Sequence, residues 1–115
     1  MNELAQEHCV PITATSQRLG KEETSDLFPR VTGWKIFDRG EEPRLEKTYQ
    51  FENFKQALEF TQRVGNLADQ ENHHPALLTE WGKVTVDWWT HKIKGLHRND
   101  FVMAAKSDEL YSQSG

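Results

Sequence analysis

The amino-acid sequence predicts an α+β fold in which an antiparallel sheet carries helices on one face. Two pairs of short strand-forming segments are each joined by a turn, which is typical of β-hairpins. Helical patterns lie before, between and after these pairs. The element order is therefore α-β-β-α-β-β-α, and helices that alternate with hairpins pack on one face of the sheet.

The N-terminal region and the first helix are predicted from polarity and charge. Residues 1–20 are polar and show no sustained period, so we expect a mobile tail, followed by a single domain over residues 21–115. Within residues 21–28 the acidic side chains come first and the apolar ones last. This order suits a short helix that ends near Pro29.

The first hairpin follows this helix. Residues 33–37 are rich in strand formers, and residues 44–51 alternate between apolar and polar side chains, although Lys47 interrupts the apolar side. Residues 38–43 carry Gly and Pro between charges, so we expect the turn there.

A long helix begins after Asn53, which is a favourable first residue, and runs over residues 54–69. Its apolar stripe consists of Phe54, Ala57, Leu58, Thr61, Val64 and Ala68. Phe60 and Leu67 widen the stripe beyond what one sheet face covers. Either the helix is deeply buried, or the surface formed by Phe60, Val64 and Leu67 contacts another subunit.

The second hairpin brings two histidines together in the predicted register. Residues 76–81 and 84–90 form its strands, and a Gly82–Lys83 turn of type II′ opposes Trp81 to Val84 on the core side. The same register, continued to the open end, opposes His74 to His91 with Cβ atoms roughly 5 Å apart. A last helix covers residues 97–110.

Composition excludes several functional classes. The chain has 115 residues, one cysteine and a net charge of -4, so it suits one domain without an internal disulfide. The acidic balance argues against a general nucleic-acid binder, and no apolar run approaches the ~20 residues of a membrane span. The N-terminus lacks a signal-peptide pattern, so we expect a cytoplasmic protein.

Histidine chemistry makes the open end of the second hairpin the candidate active site. Imidazoles give or take protons near neutral pH, so His73, His74 and His91 together offer an acid and a base. Trp89 supplies an apolar wall for a flat ring. Asp100, at the start of the last helix, is placed to orient an imidazole.

Each of these residues also has a simpler interpretation. His73 and His74 fit a surface loop, and His91 fits a strand end. Asp100 favours a helix N-terminus without any further role, and Trp89 suits a subunit contact. A metal site is a third reading because the histidines and Asp100 have zinc-compatible side chains, although no fixed ligand spacing supports it.

The spacing of these residues resembles the signature of the pterin-4a-carbinolamine dehydratases. The residues that carry the resemblance are, in chain order, Asp69, His73, His74, Pro75, Trp81, His91 and Asp100. Residues 78–86 and 94–101 are similar to the bacterial members, and the resemblance covers residues 21–110.

This resemblance implies a fold and a reaction. The family has a four-stranded antiparallel sheet with helices on one face and forms homo-oligomers, dimers or tetramers. Its members convert 4a-hydroxytetrahydropterin to quinonoid dihydropterin, a hydro-lyase reaction that recycles the cofactor of aromatic amino acid hydroxylases such as those acting on phenylalanine. No metal or organic cofactor is required.

The resemblance also implies residue roles. His73 and His91 serve in proton transfer, His74 binds and orients the pterin ring, and Asp100 supports the site. The positions that match substrate contacts of the family are Asn72, Trp89, Thr90 and Lys92.

Two of these positions depart from the animal members, which have Asp in place of Asn72 and a small residue in place of Trp89. Animal members also act as dimerisation partners of a homeodomain transcription factor. A non-catalytic binding module for a hydroxylase or a transcription factor is therefore the competing function.

Overall fold

The computed structural model describes residues 3–114. Its helices are α1 (Lys21–Leu27), α2 (Phe54–Glu71) and α3 (Arg98–Ser114). Its strands are β1 (Lys35–Arg39), β2 (Glu42–Gln50), β3 (Ala76–Glu80) and β4 (Lys83–Trp88). Short 3-10 turns lie at Glu3–Gln6, Phe28–Arg30 and His91–Ile93. The predicted element order is confirmed.

The strands form an antiparallel sheet in the order β1-β2-β4-β3, and the helices cover one of its faces. Val84, Val86 and Trp88 of β4 are fully buried on the helix side. The indole Nε1 of Trp88 donates to Ser107 of α3 at 3.1 Å. The predicted α+β fold is thus confirmed, and within residues 3–114 no helix is long and apolar enough to cross a membrane.

The first hairpin turns more tightly than the sequence predicts. Arg39 pairs with Glu42, so only Gly40 and Glu41 form the loop, with φ of 59° and 70°. Positive φ at both central residues is the geometry of a type I′ turn, which matches the twist of the strands. Strand β2 therefore begins at Glu42 rather than after the predicted turn.

Lys47 lies on the core side of β2, where its charge is paired. Its Nζ donates to Oδ1 of Asp108 in α3 at 2.9 Å, and the Tyr49 hydroxyl donates to the same oxygen at 2.6 Å. The Trp34 indole also donates to Asp108. This carboxylate therefore ties the first hairpin to α3, and a lysine is tolerated in an otherwise apolar row.

Helix α2 begins as predicted, because the Asn53 side chain accepts from the N–H of Gln56 at 2.9 Å. The burial of its apolar face settles one of the alternatives. Phe60 is only 1% exposed and packs against the rings of Tyr49, Phe51 and Tyr111.

The subunit surface predicted from Phe60, Val64 and Leu67 is therefore wrong for Phe60 and Val64, which are fully buried in the protomer core. Leu67 is partly buried against the same core. The exposed apolar side chains of α2 are instead Phe54 and Leu58, at the outer edge of the stripe.

The second hairpin is shifted by two residues from the predicted register. Glu80 pairs with Lys83, so Trp81 and Gly82 form the loop. Gly82 has a φ of 76°, and a Cβ there would lie 3.3 Å from the Phe51 carbonyl oxygen, so the turn requires glycine in this second position. The predicted core position of Trp81 is wrong, since its side chain is 74% exposed.

The N-terminal segment packs on the folded domain, which differs from the predicted mobile tail. Leu4 is fully buried in the core, and the Lys106 ammonium of α3 donates to the Ala5 carbonyl at 3.0 Å. Glu7 accepts two hydrogen bonds from the Arg98 guanidinium. Leu4 and Ala5 are buried in the core without a periodic pattern; Met1 and Asn2 lie outside the described residues.

Candidate active site

The end of α2 turns His73 into the protein interior. Asn72 has left-handed backbone angles, φ 52° and ψ 43°, which asparagine adopts more readily than most residues. The N–H groups of Asn72 and His73 both donate to the Ala68 carbonyl, which ends the helix in a Schellman-type turn. His73 is buried as a result, and its ring stacks on Trp88 with centroids 6.0 Å apart.

His73 is held there by a buried carboxylate. Its Nε2 lies 2.6 Å from Oδ1 of Asp100, which is fully buried. Oδ2 of Asp100 accepts from the Thr90 hydroxyl at 2.8 Å and from the His97 N–H at 2.9 Å. Since a carboxylate only accepts, Nε2 of His73 donates, and Nδ1 is the ring nitrogen left for proton exchange.

His97 is a further imidazole beside this pair. Burial lowers the pKa of His97, and the Asp100 carboxylate opposes this effect only in part; the His73 ring adds to the lowering. Its Nδ1 accepts from the Asn99 N–H at 3.0 Å. A neutral His97 therefore lies directly before α3, and it was not among the predicted site residues.

His74 occupies a different environment from His73. It is exposed, and its Nε2 donates to Oδ1 of Asp69 at 3.0 Å. Ala76 pairs with Asp87, and continuing this register by two residues places His74 opposite Trp89. The predicted opposition of His74 to His91 is therefore wrong.

His91 lies in the turn after β4 with a side chain that is 78% exposed. Its Nδ1 donates to Oε1 of Glu42 at 2.9 Å. Thr90, its neighbour, bridges to Gly95 through the backbone and donates to Asp100. The Asp100 carboxylate thus connects His73 to Thr90, the residue directly before His91.

Glu42 was missed because the sequence predicted a turn at this position. A two-residue turn at Gly40 and Glu41 is the signal that would have placed Glu42 in a strand beside β4.

Trp89 lies half-buried on the sheet face opposite the helices. The Arg44 guanidinium carbon lies 3.5 Å from the centre of its ring, so one face of the indole is covered by a cation. Its Nε1 is buried and makes no hydrogen bond with any described residue. Trp89 therefore has at most one open face for a flat ligand.

A buried acid lies beneath this stack. Arg44 also donates to Asp87 at 3.4 Å, and Asp87 is directly opposite Glu46 in the sheet. Burial raises the pKa of Asp87 to about 6, with a further contribution from Glu46. Neither Arg44 nor Asp87 carried a sequence signal, because both occupy ordinary polar positions of alternating strands.

Two predicted binding residues have exposed side chains beside the histidines. Asn72 directly precedes His73, and Lys92 directly follows His91. The Lys92 ammonium donates to the Ile12 carbonyl at 3.4 Å. Within residues 3–114, no group of three or more His, Cys, Asp or Glu side chains is arranged to hold a metal ion.

The chain is similar to a known protein family and to curated proteins from other organisms. The family described as pterin 4 alpha carbinolamine dehydratase matches residues 17–110. A protein of Microcystis aeruginosa, provisionally named a pterin-4-alpha-carbinolamine dehydratase, is 50% identical over 98% of this chain and 97% of its own. A similarly named protein of Gloeobacter violaceus is 48% identical over 97% of each chain.

Solved structures share the fold. A transcriptional coactivator/pterin dehydratase from Brucella melitensis has a TM-score of 0.75 and 26% identity, over 83% of this chain and 99% of that one. A pterin dehydratase-like protein, identified as a RuBisCO assembly factor in the alpha-carboxysome, has a TM-score of 0.58 and 19% identity. It covers 69% of this chain and 89% of its own, and shows likeness of fold alone.

Proposed function

Because the chain belongs to the pterin 4 alpha carbinolamine dehydratase family, we propose that it dehydrates 4a-hydroxytetrahydropterin to quinonoid dihydropterin. The names of the family and of its relatives support the pterin substrate and the enzyme class. The single observation that carries the proposal is the His73–Asp100 pair, in which a carboxylate fixes a buried imidazole. The exposed His74 is the next residue in the chain, and the exposed His91 follows Thr90, which bonds to the same carboxylate.

The reaction needs two proton transfers. The C4a–O bond breaks, and hydroxide leaves as water only if an acid protonates the oxygen. The N5–H bond breaks at the same time, and its electron pair forms the C4a=N5 double bond while a base takes the proton. Positioned acid–base groups typically accelerate such steps ~10²–10⁴-fold.

In this proposal His73 and His91 transfer the two protons. The hydrogen bond to Asp100 fixes the His73 ring and stabilises the imidazolium form when Nδ1 takes a proton. His91 is exposed and free to approach the ligand, with Glu42 as its counter-charge. His74, paired with Asp69, binds and orients the pterin ring.

The remaining contacts divide into two kinds. Asn72 and Lys92 have exposed side chains and contact the polar edge of the pterin in this proposal, and Trp89 stacks on the ring through its open face. The Thr90 hydroxyl and backbone are already committed to Asp100 and Gly95. Thr90 therefore acts by holding Asp100 in place.

The biological setting follows from the product. Quinonoid dihydropterin must be reduced before reuse, so we propose that the protein acts beside an aromatic amino acid hydroxylase and a reductase. The location that we propose for it is the cytoplasm. We also propose a homo-oligomer. The exposed apolar side chains of Phe54 and Leu58 on α2 support a contact between subunits.

A non-catalytic binding module is the competing function. It is favoured by exposed apolar side chains at Leu78, which lies on edge strand β3, and at Trp81. The Brucella relative is described both as a transcriptional coactivator and as a pterin dehydratase. A protein that only binds partners has no need of a fixed His73.

A stopped-flow assay with freshly generated 4a-hydroxytetrahydropterin tests the proposal. It compares the wild type with His73→Ala and His91→Ala, with and without chelator. We expect rapid dehydration that survives the chelator and collapses in both variants. A wild type that does not accelerate the reaction would overturn the proposal in favour of the binding module.

A further inference from the structure

The N-terminal residues 3–12 precede the family match, which begins at residue 17, yet they contact both helices that supply the buried pair. Leu4 anchors the segment in the core. Polar contacts further along the segment then reach the C-terminal end of α2 and the first turn of α3. His73 follows the first of these ends, and Asp100 lies in the second.

The contact with α3 nearest to the buried pair is made by Asn99, the residue directly before Asp100. The Val10 N–H donates to Oδ1 of Asn99 at 3.0 Å, and Nδ2 of Asn99 donates to the Val10 carbonyl at 2.8 Å. Asn99 is 3% exposed, so water does not readily replace either of these hydrogen bonds. Both polar atoms of this buried amide are thus used by one residue of the segment.

The contact with α2 is made by Glu71, two residues before His73. The Cys9 N–H donates to Oε1 of Glu71, and the His8 ring donates to Oε2, both at 2.8 Å. Burial alone would raise the pKa of Glu71, but the hydrogen bonds from Cys9 and His8, together with the nearby charge of Lys106, outweigh it and lower the pKa below its usual value. The segment therefore holds an ionised carboxylate at the end of α2.

Cys9 lies between the contacts at Glu71 and Asn99, and its thiol is not activated as a nucleophile. Burial raises the pKa of its thiol to about 12, with smaller contributions from Glu71 and Asp100, so the sulfur stays protonated at neutral pH. Its Sγ lies 3.9 Å from the Asn99 carbonyl oxygen.

We propose that residues 4–10 brace the candidate site, with Asn99 as the positioning residue that sets the His73–Asp100 hydrogen bond. Glu71 lies two residues before His73, and Asn99 lies one residue before Asp100. A hydrogen bond of 2.6 Å between two helices tolerates little displacement of either end. The kinetic part of this proposal rests on the proposed function; the structural part does not.

The test uses full-length Asn99→Ala and Asn99→Asp. Asn99→Ala removes both bonds to Val10, whereas Asn99→Asp keeps the acceptor for the Val10 N–H. Asp26→Asn is the control, because it removes an exposed ion pair of α1 and leaves residues 4–10 and Asn99 untouched. Proton NMR follows the downfield Nε2–H signal of His73, and stopped-flow kinetics give kcat and KM.

We expect Asn99→Ala to shift or broaden the His73 signal and to lower kcat about 10-fold with little change in KM, as loss of an orienting partner does elsewhere. Asn99→Asp should disturb the signal at least as much as Asn99→Ala, because a carboxylate oxygen would then face the Val10 carbonyl oxygen, and Asp26→Asn should match the wild type. A folded Asn99→Ala protein with an unmoved signal would overturn the brace.

A second pair of variants and the activity of the wild type keep the failure of the brace distinguishable from the failure of the proposed function. If Asn99→Ala does not fold, two variants of Val10 replace it. Val10→Pro removes the backbone N–H that donates to Asn99, whereas Val10→Ala keeps it, and the Nε2–H signal of His73 is compared between them. If the signal moves but the wild type has no dehydratase activity, the brace stands and the proposed function falls. If the wild type is active and neither signal nor kcat responds, the brace falls alone.

Discussion

Nε2 of His73 lies 2.6 Å from Oδ1 of Asp100, and this bond connects the end of α2 to the start of α3. The other oxygen of Asp100 accepts from the Thr90 hydroxyl and the His97 N–H. One carboxylate therefore fixes a candidate catalytic ring, the turn after β4 and a helix N-terminus. Changes at this carboxylate should affect activity and stability together.

Asp100→Asn should destabilise the protein by about 1–3 kcal/mol and lower the dehydration rate. An amide has one accepting oxygen, and its NH₂ group meets a donor, so at least one buried group loses its partner. Urea denaturation measures the free energy of unfolding. Asp26→Asn, at an exposed ion pair of α1, is the control and should stay within about 0.5 kcal/mol.

His91→Ala should leave the fold intact and slow dehydration by at least about 100-fold, the lower range for loss of a proton-transfer group. The side chain is 78% exposed and forms an ion pair with Glu42 at the surface, so thermal melting should be unchanged. Stopped-flow turnover provides the measurement. Full turnover in a folded variant would contradict the role of His91.

Phe60→Glu should unfold the protein rather than change its assembly. The ring is buried among Tyr49, Phe51 and Tyr111, and its loss alone costs about 3–5 kcal/mol before a charge is buried. Leu58→Glu on the same helix is the matched control, because Leu58 is 49% exposed.

The Leu58→Glu protein should melt like the wild type and sediment as a smaller species if α2 forms a subunit contact. An unchanged mass would place the subunit contact elsewhere.

Asp87→Asn should gain stability relative to the wild type as pH rises from 4 to 8. The pKa of Asp87 is raised from 3.8 to about 6, so the folded state binds the proton more tightly than the unfolded state. That contribution is fully present below about 3.8 and is lost as pH rises through about 6. Thermal melts of both proteins across this range test the sign; a pH-independent difference would refute it.

The sequence predicted the faces of the second hairpin but not its pairing. Alternation of apolar and polar residues reveals which side chains share a face, and it does not distinguish registers that differ by two residues. The position of the turn determines which of these registers forms. Gly82 takes its positive φ as the second loop residue rather than the first, so Glu80 meets Lys83 and His74 no longer meets His91.

The candidate site was predicted as a set of residues more fully than as an arrangement. His73 and Asp100 stand in motifs with defined spacing, whereas their bond depends on the packing of α2 against α3. Asn99 and Glu71 carried no signal, since a buried Asn or Glu looks like any polar residue at a helix end. Leu4 was missed because the apolar residues of its segment follow neither a helix nor a strand period.

The contact between the Glu3–Gln6 turn and α3 has a consequence for synthesis. The Lys106–Ala5 bond joins residues 101 positions apart, so the Glu3–Gln6 turn lacks this partner until α3 has been synthesised. Until then Leu4 remains exposed on a nascent chain whose sheet is already translated. Assembly of the histidine–aspartate pair therefore waits for the synthesis of α3, whose Asp100 lies 27 residues after His73.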